Sequence, residues 1–268
     1  MKKVVLITGA SSGFGQAIAR RLAAKGYIVY GTSRKAIGQN DSGIHYLVMD
    51  VRQRASVKAA VAQLLAEQGR IDVVVNNAGM GIGGSLELAT DEEIDIQMDT
   101  NFRGCVNVCQ EVLPTLRAQG GGRIVNISSI GGVMGLPYQG FYSASKFAIE
   151  GFTEALAAEV RGFGIKVSMV EPGDFATGFT ASRRNSEATA KSDAYGASFS
   201  RSLSLIEKEE NGGLKPDFLA KKVVKIIESS HPHLRYVVAN FEQRLSVLLK
   251  KLIPGNWFVS TLRSYYKV

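Results

Sequence analysis

The sequence of 268 residues predicts an α/β fold in which helices cover both faces of a parallel sheet. Short apolar runs that read as buried strands alternate with longer amphipathic segments that read as helices. Such alternation is typical of parallel sheets with right-handed crossover connections. Because no repeat or low-complexity segment divides the chain, we expect a single catalytic domain over residues 1–268.

The first element is a strand that leads into a glycine-rich turn. Val4 to Thr8 form an apolar run, and the segment after the turn places Ile18 and Leu22 on one helical face. Glycines let the backbone approach a pyrophosphate, and the start of a helix offers unpaired N–H groups to an anion. The turn therefore predicts a dinucleotide cradle, whose candidate residues are Gly9, Ser11, Ser12, Gly13, Phe14 and Gly15.

A later apolar run, Ile124 to Ile127, reads as a buried strand that ends at two serines. Ligands of open α/β sheets bind where such strands end, so Ser129 is a candidate site residue. Ser128 is interpreted as a turn former. The last strand of the sheet is predicted at residues 235–239.

Tyr142 and Lys146 lie four residues apart in a segment of helix-compatible residues, which places both side chains on one helical face. A neighbouring ammonium favours the phenolate, so we expect a lowered tyrosine pKa and a side chain that can shuttle protons. The alternative is a tyrosine that only packs on the lysine stem. The other motifs of the chain favour the catalytic interpretation.

These motifs together resemble the short-chain dehydrogenase/reductase family, from Lys3 to about Thr177 and in the family's order. The resemblance implies a Rossmann-type doubly wound sheet of about seven strands and a homodimer or homotetramer. The matching residues are Thr8, Gly9, Gly13, Gly15, Asn76, Asn77, Ala78, Gly79, Asn101, Ser129, Tyr142, Lys146, Pro172, Gly173 and Thr177.

The resemblance implies a role for each member of the catalytic set. Tyr142 would be the general acid in carbonyl reduction and the base in alcohol oxidation. Lys146 would lower the phenol pKa and bind the nicotinamide ribose, while Ser129 would stabilise the developing oxyanion. Asn101 would anchor a water that links Lys146 to solvent. The remaining cofactor contacts would be Asp50, Val51, Asn77, Ala78, Gly79, Pro172, Gly173, Phe175 and Thr177.

The end of the second strand bears on the choice of cofactor. An acidic residue there binds the adenosine ribose hydroxyls and repels a 2′-phosphate, but this chain has Ser33, Arg34 and Lys35. Arginine binds phosphate through a charge-assisted fork, and Ser33 can donate another hydrogen bond. We therefore predict NADP(H) as the preferred cofactor and NAD(H) as the second choice. A solvated basic loop is the alternative.

The cysteines, histidines and net charge indicate no further chemistry. Cys105 and Cys109 lie one helical turn apart, where a disulfide would constrain little, and no cluster accompanies the three histidines, so we expect no metal. The net charge of +8 comes without a nucleic-acid motif. The first apolar run is too short for a secretory signal, and no segment could span a bilayer. We therefore expect a cytoplasmic protein that binds no nucleic acid.

Two segments outside the shared motifs should distinguish this chain from other members of the family. Residues 175–213, rich in Ser, Ala, Gly and charge, occupy the position of the family's substrate lid; a plain surface insertion is the alternative. Residues 245–268 form a basic amphipathic tail without an acidic residue. Packing on this or a partner subunit is favoured over contact with an anionic membrane, because Pro254 and Gly255 divide the tail into short pieces.

The predicted function is hydride transfer between NADP(H) and a carbonyl or secondary alcohol, with Tyr142 as the acid or base. The tail and the Pro-Gly turn resemble members that act on steroids, retinoids or long-chain keto lipids, and Met134, Leu136 and Phe141 are candidate wall residues. The alternative is an NADP-sensing regulatory protein that has lost catalysis. The intact catalytic set argues against this, since a sensor needs no acid beside the hydride.

Overall fold

Strands and helices alternate through the computed structural model, which describes residues 2–38 and 43–268. The strands are β1 (Val4–Ile7), β2 (Ile28–Ser33), β3 (Ile44–Val48), β4 (Val73–Asn76), β5 (Ile82–Gly83), β6 (Gly122–Ile127), β7 (Ile165–Pro172), β8 (Arg184–Asn185) and β9 (Arg235–Val238). The helices are α1 (Gly13–Ala24), α2 (Arg54–Gln68), α3 (Asp91–Met98), α4 (Gly104–Ala118), α5 (Gly140–Glu159), α6 (Phe179–Ser182), α7 (Glu187–Ala190), α8 (Gly196–Asn211), α9 (Pro216–Glu228), α10 (Phe241–Leu252) and α11 (Gly255–Tyr265).

Seven strands form one parallel sheet in the order β3-β2-β1-β4-β6-β7-β9. The chain order reverses between β1 and β4, so the loops that follow these strands diverge and leave a crevice at the carboxyl edge. The doubly wound sheet of seven strands is thereby confirmed. The short strands β5 and β8 pair with each other outside this sheet.

Each face of the sheet is covered by helices, and the burial pattern of β1 shows why its sequence is apolar throughout. Val4 and Leu6 belong to one hydrophobic core, and Val5 and Ile7 belong to the other. A strand with no solvent face has no position for a polar side chain. The first core includes α2, α4 and α5, and the second includes α1 and α9.

The turn between β1 and α1 needs glycine for two different reasons. Gly9 has φ +65° and Gly13 has φ +53°, a backbone region that favours glycine. Gly15 is required by close packing, because a Cβ there would collide with the carbonyl oxygen of Gly9 and the amide of Asn77. Asn77 Nδ2 in turn donates to the carbonyls of Thr8 and Gly9 at 2.9 and 3.0 Å. The turn is therefore held against the end of β4.

The two segments outside the family motifs, residues 175–213 and 245–268, fold as helices and a short strand around the carboxyl edge of the sheet. Residues 175–213 contain α6, β8, α7 and α8. The C-terminal segment forms α10 and α11, and Val247 and Phe258 pack with Met134 in a small separate core. The two helices are divided at Ile253 and Pro254, one residue before the predicted break at Pro254 and Gly255, because Gly255 begins α11. None of the described helices combines the length and the apolar character needed to cross a bilayer.

Candidate active site

A cleft of about 1420 Å³ opens at the carboxyl edge of the sheet, where the loops after β1, β2, β4, β6 and β7 meet. The helices α10 and α11 close its far end. Sites for single drug-sized ligands have volumes of roughly 300–1,000 Å³. The cleft is therefore large enough for a dinucleotide together with a second molecule.

The structure brings nearly all the predicted site residues together along this cleft. Gly15 and Asn101 lie outside its lining, Gly15 because it packs under the turn and Asn101 because it lies behind Gly79. The predicted residues that line the cleft are Gly9, Ser11, Ser12, Gly13, Phe14, Ser33, Arg34, Asp50, Val51, Asn77, Ala78, Gly79, Ser129, Tyr142, Lys146, Pro172, Gly173, Phe175 and Thr177.

The start of α1 suits the pyrophosphate of a dinucleotide. Ser12 is the N-cap residue, its side chain makes no capping hydrogen bond, and the first turn carries no acidic residue. The backbone N–H groups of this turn and the positive end of the helix dipole therefore remain available to an anion. Phe14 packs edge-on against Phe175 with ring centroids 4.9 Å apart, which joins the turn to the loop after β7.

The other end of the cleft is rich in cations. Arg34, Lys35 and Arg52 all line it beside Ser33. Arg52 forms an ion pair with Asp50, with 2.6 Å between Nη2 and Oδ2, and its hydrogen bonds lower the pKa of that carboxyl. Asp50 is thus neutralised by its neighbour. The sequence interpretation missed Arg52, although it stands only two residues after the predicted adenine contact.

Ser129, Tyr142 and Lys146 meet at the middle of the cleft. Lys146 is buried on α5, and its Nζ donates to the carbonyl of Ile127 at 2.9 Å and lies 5.8 Å from the centre of the Tyr142 ring. The Ser129 hydroxyl accepts a hydrogen bond from Gly131 N at 3.0 Å and contacts the phenol of Tyr142. A hydroxyl, a phenol and an ammonium thus share one small region.

The expected lowering of the tyrosine pKa is wrong. Burial raises the pKa of Tyr142 to about 12, and the contact with Ser129 only partly opposes this shift. Lys146 is itself deprived of solvent, and burial lowers its pKa to about 8. Removal from water disfavours the charged form of both groups. The phenol therefore carries its proton at neutral pH, as a general acid must before it acts.

Asn101 lies in a π-helical turn, Asp99–Arg103, between α3 and α4. Its Oδ1 accepts from Met80 N at 2.8 Å, and its Nδ2 donates to Met80 O at 3.0 Å and to Ser145 Oγ at 2.9 Å. These bonds fix the loop after β4 against α5. The proposed water between this asparagine and Lys146 stays a prediction.

Several cleft residues were missed because they come from segments without a motif. Asp174, Glu209 and Glu210 line the cleft, and the charges of Glu210 and Asp174 lie close enough to Tyr142 to raise its pKa. The ring of Phe179 lies 5.9 Å from the Tyr142 ring. Asp174 follows directly on the Pro-Gly turn, a signal that could have identified it. Met134 and Leu136 line the cleft as predicted, whereas Phe141 lies outside its lining.

Asp174 should make stability depend on pH in the direction opposite to that of an ordinary carboxylate. Burial raises its pKa to about 7, so the fold binds this proton more tightly than the unfolded chain does. Stability should therefore fall as pH rises from about 4 to about 7. Asp174→Asn cannot ionise and therefore avoids this decrease in stability. The melting temperature of the variant minus that of the wild-type protein should be larger at about pH 8 than at about pH 5. An equal difference at both pH values would contradict the assignment.

The chain is similar in sequence and in fold to known oxidoreductases. A family model described as short chain dehydrogenase matches residues 3–188. A 3-ketodihydrosphingosine reductase from Bacteroides thetaiotaomicron is 53% identical over 266 residues, 99% of this chain and 98% of the relative. A short-chain dehydrogenase structure from Streptomyces avermitilis is 32% identical with a TM-score of 0.84, and the match covers 100% of this chain and 97% of that one. A 3-ketoacyl-(acyl-carrier-protein) reductase from Brucella melitensis, complexed with NADH, is 28% identical with a TM-score of 0.73 and coverages of 88% and 96%.

Proposed function

The chain belongs to the short-chain dehydrogenase family of oxidoreductases, and from this premise we propose that it reduces the ketone of a long-chain amino lipid with NADPH. The observation that carries the proposal is the similarity to the Bacteroides reductase, which extends through both the lid segment and the tail. These two segments supply the walls of the cleft beyond the catalytic set.

The chemistry of the cleft fits the compound named in that relative. A 3-ketodihydrosphingosine carries a ketone, an amine on the adjacent carbon and a long alkyl chain. Apolar side chains for the alkyl chain come from the tail and from the loop after β6, namely Met134, Leu136, Leu249, Ile253, Phe258 and Leu262. Glu209 lines the same cleft and is suited to a cationic amine, and Asp174, partly protonated because its pKa is about 7, would ionise more fully beside that amine.

In the proposed reaction, bound NADPH supplies the hydride that arrives at the ketone carbon. Tyr142 gives its proton to the ketone oxygen, and Ser129 donates a hydrogen bond to the same oxygen as its negative charge develops. Lys146 keeps a positive charge near the phenol, which stabilises the tyrosinate left after proton transfer. Tyr142 carries its proton at neutral pH, which is the state that a general acid needs at the start of ketone reduction.

The preference for NADPH is supported by the charges around Ser33. Arg34 and Lys35 line the cleft without an acidic residue at the end of β2, and Arg52 adds a third cation that Asp50 neutralises. A 2′-phosphate would be attracted here, whereas the ribose hydroxyls of NADH would find no carboxylate at this strand end.

Turnover of 3-ketodihydrosphingosine with NADPH and with NADH tests the proposal directly. We expect NADPH oxidation coupled to formation of the amino alcohol, identified by mass spectrometry, and slower turnover with NADH. The matched control is a ketone of equal chain length that lacks the amine, for which we expect a higher KM. No turnover of any long-chain ketone, despite tight NADPH binding, would instead support the NADP-sensing alternative. The oligomeric state and the cytoplasmic location stay predictions.

A further inference from the structure

The penultimate helix, α10, carries apolar side chains on two of its sides, and only one of these two sides is covered by the rest of the protein. The inward side includes Val247, which is buried in the small core with Met134 and Phe258. The outward side carries an apolar stripe that consists of Phe241, Leu245, Leu248 and Leu252, exposed by 79, 41, 52 and 70%. With 3.6 residues per turn these four positions fall within about 60° of one another, far from Val247.

Exposed apolar area is concentrated at this end of the molecule. Among the described residues, nine of the fifteen large apolar side chains that are exposed fall in residues 241–268. One of them is Trp257 on α11, which is 71% exposed. Single exposed apolar residues need no explanation, but a contiguous stripe of four marks an interaction surface.

The charges beside the stripe indicate what covers it. Arg244 and Lys251 are exposed on one flank of α10, Arg263 is exposed on α11, and Lys267 is exposed just after α11. Residues 241–268 contain five cations and one acidic residue, Glu242, which is exposed on the opposite flank of α10. A helix with an apolar face, a basic flank and an aromatic anchor has the composition of helices that lie in the interface of an anionic bilayer.

A second copy of this chain fits the surface poorly. In a two-fold contact the same patch faces itself, so the basic flank of one copy would approach the basic flank of the other. Residues 241–268 contain five cations against the single carboxylate of Glu242, so the surface keeps a net positive charge, and like charges brought together across an interface oppose association. In an anionic bilayer the negatively charged headgroups pair with the cations, and the acyl chains cover the apolar stripe.

We propose that the apolar stripe of α10, with its basic flank, docks this protein on the surface of an anionic lipid bilayer. The cleft is lined by Leu249, Phe258 and Leu262 from the same two helices and by Ile253 between them. Docking would thus place the mouth of the cleft at the membrane, where a long-chain substrate resides. This consequence depends on the proposed substrate, whereas the docking itself does not.

Sedimentation of the full chain with lipid vesicles tests the proposal. The wild-type protein should bind mixed vesicles that contain equal amounts of phosphatidylcholine and phosphatidylglycerol. It should bind vesicles of phosphatidylcholine alone much more weakly. The double substitution Leu248→Asp and Leu252→Asp should weaken binding to the mixed vesicles by at least about tenfold, because two side chains lose their burial in the interface. Added salt should weaken wild-type binding, since screening reduces attraction to the lipid charge.

The matched control is Phe218→Asp, which changes a side chain of similar exposure on α9 and should leave vesicle binding unchanged. Failure of the wild-type protein to bind mixed vesicles would overturn the proposal, as would equal binding by the double variant. A dimer in solution that the double variant dissociates, without any vesicle binding, would assign the stripe to a second copy. Turnover of a short water-soluble ketone, measured separately, keeps a failure of docking distinct from a failure of the proposed function.

Discussion

Tyr142→Phe should lower kcat for ketone reduction by about 10² to 10⁴-fold, the contribution usual for a positioned general acid. The substitution removes one hydroxyl and keeps the ring, so the packing against Phe179 should persist. The ketone oxygen then lacks a proton donor as its charge develops, while Ser129 still donates its hydrogen bond. KM should change little, because the lost interaction acts mainly in the transition state.

The control for this experiment is Tyr138→Phe, which removes a phenol that is bonded to Ser198 and lies outside the cleft lining. It should leave kcat within about twofold, since it touches no reacting group. NADPH affinity, measured by quenching of cofactor fluorescence, should be similar for both variants and the wild-type protein. Turnover that survives Tyr142→Phe would show that this tyrosine is not the general acid and that another side chain donates the proton.

The fold and the core of the site could be predicted because their signals are local in the chain. The glycine turn, the strand that ends at Ser129 and the four-residue spacing of Tyr142 and Lys146 each lie within one segment. A parallel sheet then brings these segments to one edge, since every strand ends there. The structure accordingly places nearly all the predicted residues along the cleft.

The electrostatics of Tyr142 could not be predicted in the same way. Its pKa depends on how much water surrounds the phenol and on Asp174 and Glu210, which belong to distant segments. Sequence spacing shows that Lys146 shares a helical face, but it does not show that the ammonium turns to the carbonyl of Ile127. Burial in a cleft is a property of the assembled fold, and here it outweighs the local pattern.

The tail illustrates a second limit of sequence interpretation. Its apolar and basic residues are compatible with packing on protein or with contact with a membrane, and the sequence favours packing because Pro254 and Gly255 divide the tail. The structure shows that α10 is apolar on both sides, with Val247 in the core and the stripe of Phe241, Leu245, Leu248 and Leu252 outside. Which side turns inward depends on Met134 and its neighbours, which lie far away in the chain.

Arg34→Asp should raise the Kd for NADPH by about 10- to 100-fold, the loss expected when a charge-assisted hydrogen bond to phosphate is removed. The effect has two parts, because the new carboxylate both lacks the donors of arginine and repels a 2′-phosphate. Lys35 and the pair of Arg52 with Asp50 remain beside the site, so some attraction for NADPH should persist. Affinity for NADH should stay equal or increase, since a carboxylate at the end of β2 can accept hydrogen bonds from the ribose hydroxyls.

The measurement is a titration of each cofactor against the wild-type protein and the variant, at a fixed low ionic strength because the effect is electrostatic. Arg161→Asp is the charge-matched control, since Arg161 is exposed in a 3₁₀ turn after α5 and is absent from the cleft lining. It should leave both affinities unchanged. If Arg34→Asp weakens the binding of NADPH and NADH equally, Arg34 contacts a group that both cofactors share. The basic end of the cleft then does not select the 2′-phosphate.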